Sequence, residues 1–378
     1  MGKRLRICFV LDMFYPHVGG VETAFYELTR RLVERDCEVR VLTCDSSGGR
    51  GRVDLDGVMV HYLPWRTIYG HAVPQRRDLT GHVQWCDIVH TTTYTAAPAA
   101  LRVARWQHRP CVLTVNECLG SRWSWVERDP IRAFAYRHFE RRLLHRPFTT
   151  LIAISAATRR DLLRAGVPAD RVRTVHLGID HDVWHPSVGP ADICAVFGLP
   201  RSSRVFLFAG RAGRTKGADL LLAAIERCAA RLPLDVRFAF LLGAHPPGAR
   251  ERFCRAVARS PAAARIAVRP SVPRRQLPGI FRAAHCVVVP SMTEGFGFCA
   301  AEAVAVGTGL LASDAGSLPE VVSGRSLVFR NRDVDDLAEK LLSAAAGRFD
   351  ARPGRTFSWD DTADRTLAVY DRIMTARR

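Results

Sequence analysis

The chain has 378 residues, which at about 100 to 200 residues per domain favours two domains, with three as the alternative, and excludes one small module. Hydrophobic residues at 48% and charged residues at 24% are ordinary globular values, so disorder as the main state is excluded as well. Lysine and arginine number 55 against 37 acidic residues, for a net charge of +18. Only Lys3, Lys216 and Lys340 are lysines. Together with frequent alanine and glycine, that arginine excess reads as a bias of the whole genome. The charge favours anionic substrates or membrane surfaces without naming one.

The 11 cysteines are odd in number and scattered, with no Cys-x-x-Cys, which suggests neither a disulfide framework nor a zinc module. A reducing cytoplasm fits best. The N-terminus MGKRLRICFVLDMFYP has basic residues before an apolar run, but the run from Ile7 to Leu11 is short and Asp12 interrupts it. It reads as a first buried strand, not a signal peptide. Arg6 stands where a myristoylation pattern needs Ser or Thr, and no stretch reaches the ~18 apolar residues of a spanning helix. The expectation is a cytoplasmic protein, at most peripheral at the inner face of the membrane.

In chain order, short apolar runs at 6–11, 38–43, 87–90, 111–115 and 150–154 alternate with longer amphipathic segments. That alternation predicts a parallel sheet covered on both faces. The first helix is predicted from about Gly20, with Phe25, Leu28, Leu32 and Val33 on one face. Between Arg132 and Arg146 lies RAFAYRHFERRLLHR, whose apolar members are Phe134, Phe139, Leu143 and Leu144. It reads as a solvated helix packed by one apolar face. A membrane-surface helix is the other reading, making peripheral membrane contact a partner expectation. Periodicity lapses at LGIDHDVWHP, which places the domain boundary at 184. Further strands at 205–209, 237–242, 265–268, 286–289 and 308–312 predict a second α/β domain over 185–356. A C-terminal helix follows within 357–378.

Three loops carry chemistry. FYPHVGGVET, with Gly19 and Gly20, lies between a strand and a helix start, a place where backbone N–H groups approach a phosphate closely. A plain left-handed turn is the bland alternative. The loop is not Gly-x-Gly-x-x-Gly and gives no support to a nicotinamide enzyme. In FAGRAGRTKG, Gly210, Arg211 and Lys216 repeat the arrangement with cations able to clamp a diphosphate and offset the charge of a departing one. The strongest signal is SMTEGFGFCAAEA, where Glu294 sits in a loop with Gly295, Phe296 and Gly297, and Glu302 follows eight residues on in a helix. Carboxylates aimed into a sheet-edge crevice can bind sugar hydroxyls and ribose. The histidines have no ligand spacing, and no metal site is expected.

These motifs, with SDAGSLPEVV at 313–322, resemble in order and spacing the retaining nucleotide-sugar glycosyltransferases of glycosyltransferase family 4. The opening loop is similar to the phosphatidylinositol sugar transferases of that family. The resemblance covers nearly the whole chain. It implies a GT-B architecture: two Rossmann-like domains facing a cleft, with a C-terminal helix crossing back. The first domain, 1–184, would take the acceptor, and the second, 185–356, the nucleotide sugar.

By matching position, Arg211 and Lys216 would bind the diphosphate, Glu294 the donor sugar and Glu302 the ribose. Gly19 and Gly20 would let their loop close over the phosphates. The donor would be a UDP- or GDP-sugar and the acceptor a small molecule or lipid, with no obligatory cofactor or metal and no nucleic-acid partner. Where the family places an active-site histidine after the strand at 112–115, this chain has Asn116. Asparagine hydrogen-bonds a hydroxyl but carries no proton at neutral pH, which turns attention to a thiol beside a hydroxyl acceptor. The rivals are a nucleotide-sugar epimerase or hydrolase and a non-catalytic sugar-nucleotide binder.

Overall fold

A computed structural model describes residues 4–17, 19–44, 51–68, 71–244 and 246–377, so Val18 of the first glycine loop and Lys3 lie outside the described residues. The chain divides into two compact units, Met1–Gly178 with Ser358–Arg378, and Ile179–Phe357.

The first unit contains β1 (Arg6–Leu11), β2 (Glu38–Cys44), β3 (Arg52–Leu55), β4 (Val58–Leu63), β5 (Arg66–Ile68), β6 (His71–Val73), β7 (Ile88–Thr92), β8 (Cys111–Val115), β9 (Thr150–Ala153) and β10 (Val172–Thr174). Its eight-stranded sheet has the order β10-β9-β8-β7-β1-β2-β4-β3. All neighbours are parallel except β3 and β4, and β5 pairs with β6 alone. Every residue of β7 and β8 is buried, and all of β1 but its first. Such strands show no alternation because helices cover both faces. Those helices are α1 (Gly20–Glu34), α2 (Arg76–Trp85), α3 (Ala97–Trp106), α4 (Trp123–Val126), α5 (Pro130–Leu144) and α6 (Ala156–Arg164).

The C-terminal helix Trp359–Thr375 also belongs to this unit, with Ser358 as its N-cap, accepting from the Asp361 N–H at 3.1 Å. Its Tyr370 is fully buried, with the hydroxyl 2.5 Å from His90 Nδ1, while His90 Nε2 lies 2.7 Å from Thr114 Oγ1. On its outer side, Asp360 and Asp364 pair with Arg35 at 3.0 and 2.5 Å.

The second unit contains β11 (Arg204–Arg211), β12 (Val236–Gly243), β13 (Ile266–Pro270), β14 (Cys286–Val289), β15 (Gly309–Ser313), β16 (Gly324–Phe329) and β17 (Asp350–Arg352), in the order β13-β12-β11-β14-β15-β16-β17. Only β17 runs antiparallel. Its helices are α7 (Ile193–Phe197), α8 (Ala218–Cys228), α9 (Ala249–Arg259), α10 (Leu277–Ala283), α11 (Phe298–Ala305), α12 (Leu318–Val321) and α13 (Val334–Ala345). Phe206, Phe208, Phe238, Phe240 and Phe253 build its aromatic core. Both units are Rossmann-like. In each, the strand order reverses beside the first strand, between β1 and β7 and between β11 and β14, and the carboxyl ends there open a crevice.

Two expectations need correction. The seam read at 184 lies at 178: Trp184 is fully buried against Phe281, ring centroids 5.3 Å apart, within the second unit. Phe357 belongs there too, because its carbonyl accepts from the Ile179 N–H at 2.9 Å and its ring packs edge-on against Phe296. The basic stretch from Arg132 to Arg146 is helical over most of its length, but Phe134 and Phe139 do not pack inward. Helix α5 buries Ala133, Glu140, Leu143 and Leu144, and leaves both phenylalanines exposed.

Candidate active site

In the second unit the switch point brings two of the three motifs together. Strand β11 ends in Gly210 and Arg211, and a single 3-10 turn, Arg214–Lys216, leads to Gly217 and α8. Gly217 has φ +75°, and a Cβ there would meet the Pro290 carbonyl oxygen at 1.9 Å. Only glycine allows this approach. The Met292 N–H donates to the Thr215 carbonyl at 2.7 Å, tying the loop after β14 to the loop after β11.

That stitching presents Lys216 to Glu294. Lys216 Nζ lies 2.9 Å from Oε1 and 2.8 Å from Oε2 of Glu294, and Ser291 Oγ donates to Oε2 at 2.9 Å. The side chains keep 27% and 14% of their surface, so the pair is partly shielded yet reachable. Burial pulls the Lys216 pKa down, but the Glu294 carboxylate more than restores it, leaving the ammonium above its ordinary value. The Glu294 main chain is fixed as well, its carbonyl accepting from the Ser317 N–H at 3.1 Å. Gly316 makes the approach possible, because a Cβ there would lie 2.2 Å from that same oxygen. Arg211 is exposed and carries no ion pair among the described residues.

Gly295 lies in this loop, while Phe296 is buried and stacks edge-on with Phe298. Gly297 is the N-cap of α11 and supplies no side-chain cap, so first-turn N–H groups and the helix dipole face the loop region. Glu302, one turn further, is only 3% exposed, and Arg274 Nη2 donates to its Oε1 at 3.1 Å. Burial raises its pKa to about 6 against the lowering effect of Arg274.

The first unit uses its polar groups differently. Gly19 is extended at φ −157°, not left-handed, and caps α1 with its carbonyl accepting from the Thr23 N–H at 3.0 Å. Gly20 is the first helical residue. At the end of β1, Asp12 accepts from the Thr95 and Ala96 N–H groups at 3.1 and 2.5 Å. Asn116 Nδ2 donates to Thr92 Oγ1 at 2.6 Å, which donates in turn to the Thr114 carbonyl at 3.1 Å. Asn116 also lines a cavity of about 20 Å³ with Thr114 and Thr366, room for one water. Glu140 of α5 is buried and accepts from the Leu119 N–H (3.0 Å), the Gly120 N–H (2.7 Å) and the Tyr94 hydroxyl (2.8 Å).

Sequence reasoning missed Asp12, Glu140, Arg274 and Ser291. Ser291 was within sight as the first residue of the Glu294 loop. Arg274 lies 28 positions from its partner, with no local pattern to join them.

Two Rossmann-like units in one chain, the second with cations and a carboxylate at its switch point, define a GT-B glycosyltransferase. Residues 18–183 match the family model of glycosyltransferase family 4, and residues 203–346 match that of glycosyl transferases group 1. A D-inositol 3-phosphate glycosyltransferase of Xylanimonas cellulosilytica is 31% identical, over 93% of this chain and 91% of that one. Sucrose-phosphate synthase of Thermosynechococcus elongatus shares the fold at TM-score 0.76 and 18% identity, covering 99% of this chain and 100% of that one. Anabaena HepE in complex with UDP-glucose does so at 0.74 and 16%, covering 97% and 100%. The chain belongs to glycosyltransferase family 4 and is a retaining glycosyltransferase. Among the described residues, no helix is long and apolar enough to cross a membrane.

Proposed function

We propose that this enzyme moves a sugar from a UDP- or GDP-sugar, held by the second unit, to a hydroxyl or thiol of a small-molecule or lipid acceptor held by the first. The Lys216–Glu294 pair at the ends of β11 and β14 carries the reading. A loop cation fixed beside a loop carboxylate suits a ligand with a diphosphate next to a sugar. Arg211 and Lys216 hold the diphosphate, Glu294 takes sugar hydroxyls, and Glu302 takes the ribose. Gly210, Gly295, Phe296 and Gly297 shape the backbone around them, and the uncapped start of α11 adds positive potential. Gly19 and Gly20, at the start of α1, offer a backbone suited to a phosphate.

The bond from the anomeric carbon to the phosphate oxygen breaks, and its electron pair stays on the leaving phosphate. The acceptor oxygen or sulfur forms the new bond on the same face of the sugar, and its proton passes to that phosphate. Lys216 and Arg211 offset the charge that develops there. His90 is no candidate base, since burial lowers its pKa to about 3 and both its ring nitrogens are engaged.

A thermal-shift series with UDP, GDP and ADP tests the donor assignment, because a nucleotide that binds the native state raises the melting temperature by mass action. One of UDP and GDP should stabilise the protein. No shift with any nucleotide, or a shift unchanged in Arg211→Ala/Lys216→Ala, overturns it. Conversion of the donor with no acceptor present would mark an epimerase or hydrolase.

A further inference from the structure

We propose that the outward face of α5, continued by α4, is a docking surface for an anionic lipid bilayer. Independently of the donor reading, it rests on which residues the helix turns outward. At 3.6 residues per turn, Ile131, Phe134, Ala135, His138, Phe139 and Arg142 share one side of α5. Ile131 is 78% exposed, Phe134 70% and Phe139 39%, and Val126 at the end of α4 is 40% exposed. Single exposed apolar residues need no explanation, but several large ones on one helix face do.

The rim of this face is cationic. Arg132, Arg137 and Arg141 flank it and Arg142 lies within it, all exposed. Arg132 sits 3.7 Å from the helix-capping Asp129, while Arg137, Arg141 and Arg142 have no ion-pair partner among the described residues. The one acid of the helix, Glu140, is turned inward onto the Leu119 and Gly120 N–H groups. The outward face of α5 therefore presents apolar side chains and positive charge with no carboxylate. That pattern fits insertion at the headgroup boundary of an anionic bilayer, with rings below and guanidiniums at the phosphates. A nucleic acid would satisfy the arginines but give Ile131 and Phe134 nothing apolar to enter.

The inward side of the helix adds a location. Through Glu140 and Tyr94, α5 is locked to the loops leaving β7 and β8, close in sequence to Asn116. A bilayer on α5 would thus lie beside the carboxyl edge of the first-unit sheet.

The test is co-sedimentation of the whole protein, without nucleotide, with vesicles of phosphatidylglycerol and phosphatidylcholine in equal parts, against pure phosphatidylcholine. Binding should require the anionic lipid, weaken with salt, and fall about five-fold for each of Arg137→Gln, Arg141→Gln and Arg142→Gln. The double variant I131S/F134S should lose about ten-fold or more. All these positions are exposed, so unchanged melting temperature and nucleotide binding verify the fold. Absence of anionic-vesicle binding overturns the proposal. So does full vesicle affinity in I131S/F134S, which would leave a merely polyanion-binding surface.

Discussion

The two units share one winding scheme but place their polar chemistry on opposite terms. At the second unit's switch point the charged groups face one another across loops and stay reachable: Lys216 against Glu294, with Arg211 exposed nearby. At the corresponding edge of the first unit, Asp12, His90, Asn116 and Glu140 are engaged with backbone groups, hydroxyls or a phenol. A diphosphate must be met by charge that persists until it arrives. Loops that shape a site for another ligand need carboxylates and amides as internal fasteners. In one unit the same residue types are available to a ligand, and in the other they hold the walls.

The sharpest way to break this contrast is Lys216→Ala. If the cation serves the leaving diphosphate, turnover should fall on the order of 10²- to 10³-fold with the fold intact, the scale for one lost preorganised electrostatic partner. Near-normal steady-state activity would remove the loop from the mechanism. The converse holds for Glu140→Ala in the first unit. It leaves two backbone N–H groups without their acceptor and the Tyr94 hydroxyl with the Glu117 carbonyl alone, and should lower stability by about 2–3 kcal/mol in denaturant titration. Nucleotide affinity measured by calorimetry should not change. A loss of nucleotide binding with stability preserved would make Glu140 a ligand group and dissolve the distinction.

The part of this design that the sequence displays follows from burial. Strands β1, β8 and β14 are buried along nearly their whole length and therefore appear as unbroken apolar runs. The edge strands β3 and β17 have no such run; every residue of β17 is exposed, so nothing in its composition marks it. Lys216 and Glu294 were legible because glycines flank both after strands. The inward turn of Glu140 was not, because it depends on two N–H groups some twenty positions earlier. Without that fastener in view, the phenylalanines of α5 look like its buried face.

Glu302 sharpens the comparison, being a second-unit carboxylate that is almost fully buried. Its folded pKa of about 6 exceeds the ordinary 4.5, so the contribution of Glu302 to stability is fully present below pH 4.5 and is lost as pH rises through 6. The difference corresponds to about 2 kcal/mol. Glu302→Gln should flatten stability against pH across that window and leave the protein no less stable at pH 7.5. At the same time it should weaken bare nucleotide binding about ten-fold, as loss of a hydrogen bond to a charged group does. Glu294→Gln, acting on the sugar, should leave bare nucleotide affinity nearly unchanged. Equal calorimetric affinities in all three proteins would deny Glu302 the ribose.

The smallest effect is expected at Asn116, where the first unit lacks the histidine that its resemblance implies. The amide already donates to Thr92 Oγ1 at 2.6 Å, so its contact with an acceptor is through whatever lone pair or edge remains. It moves no proton, and an alcohol must then rely on the leaving phosphate alone. A thiol, with a pKa near ~8.5, is a few per cent thiolate at neutral pH and intrinsically the better nucleophile. With the cognate donor and matched thiol and alcohol acceptors, the enzyme should favour the thiol. Asn116→His should move the ratio a few-fold toward the alcohol, at some cost to the thiol, because an imidazole can take the Thr92 contact and still accept a proton. Transfer to the alcohol alone would sink the thiol reading. A large alcohol gain with the thiol rate untouched would do the same, since Asn116 would then be no adaptation to sulfur at all.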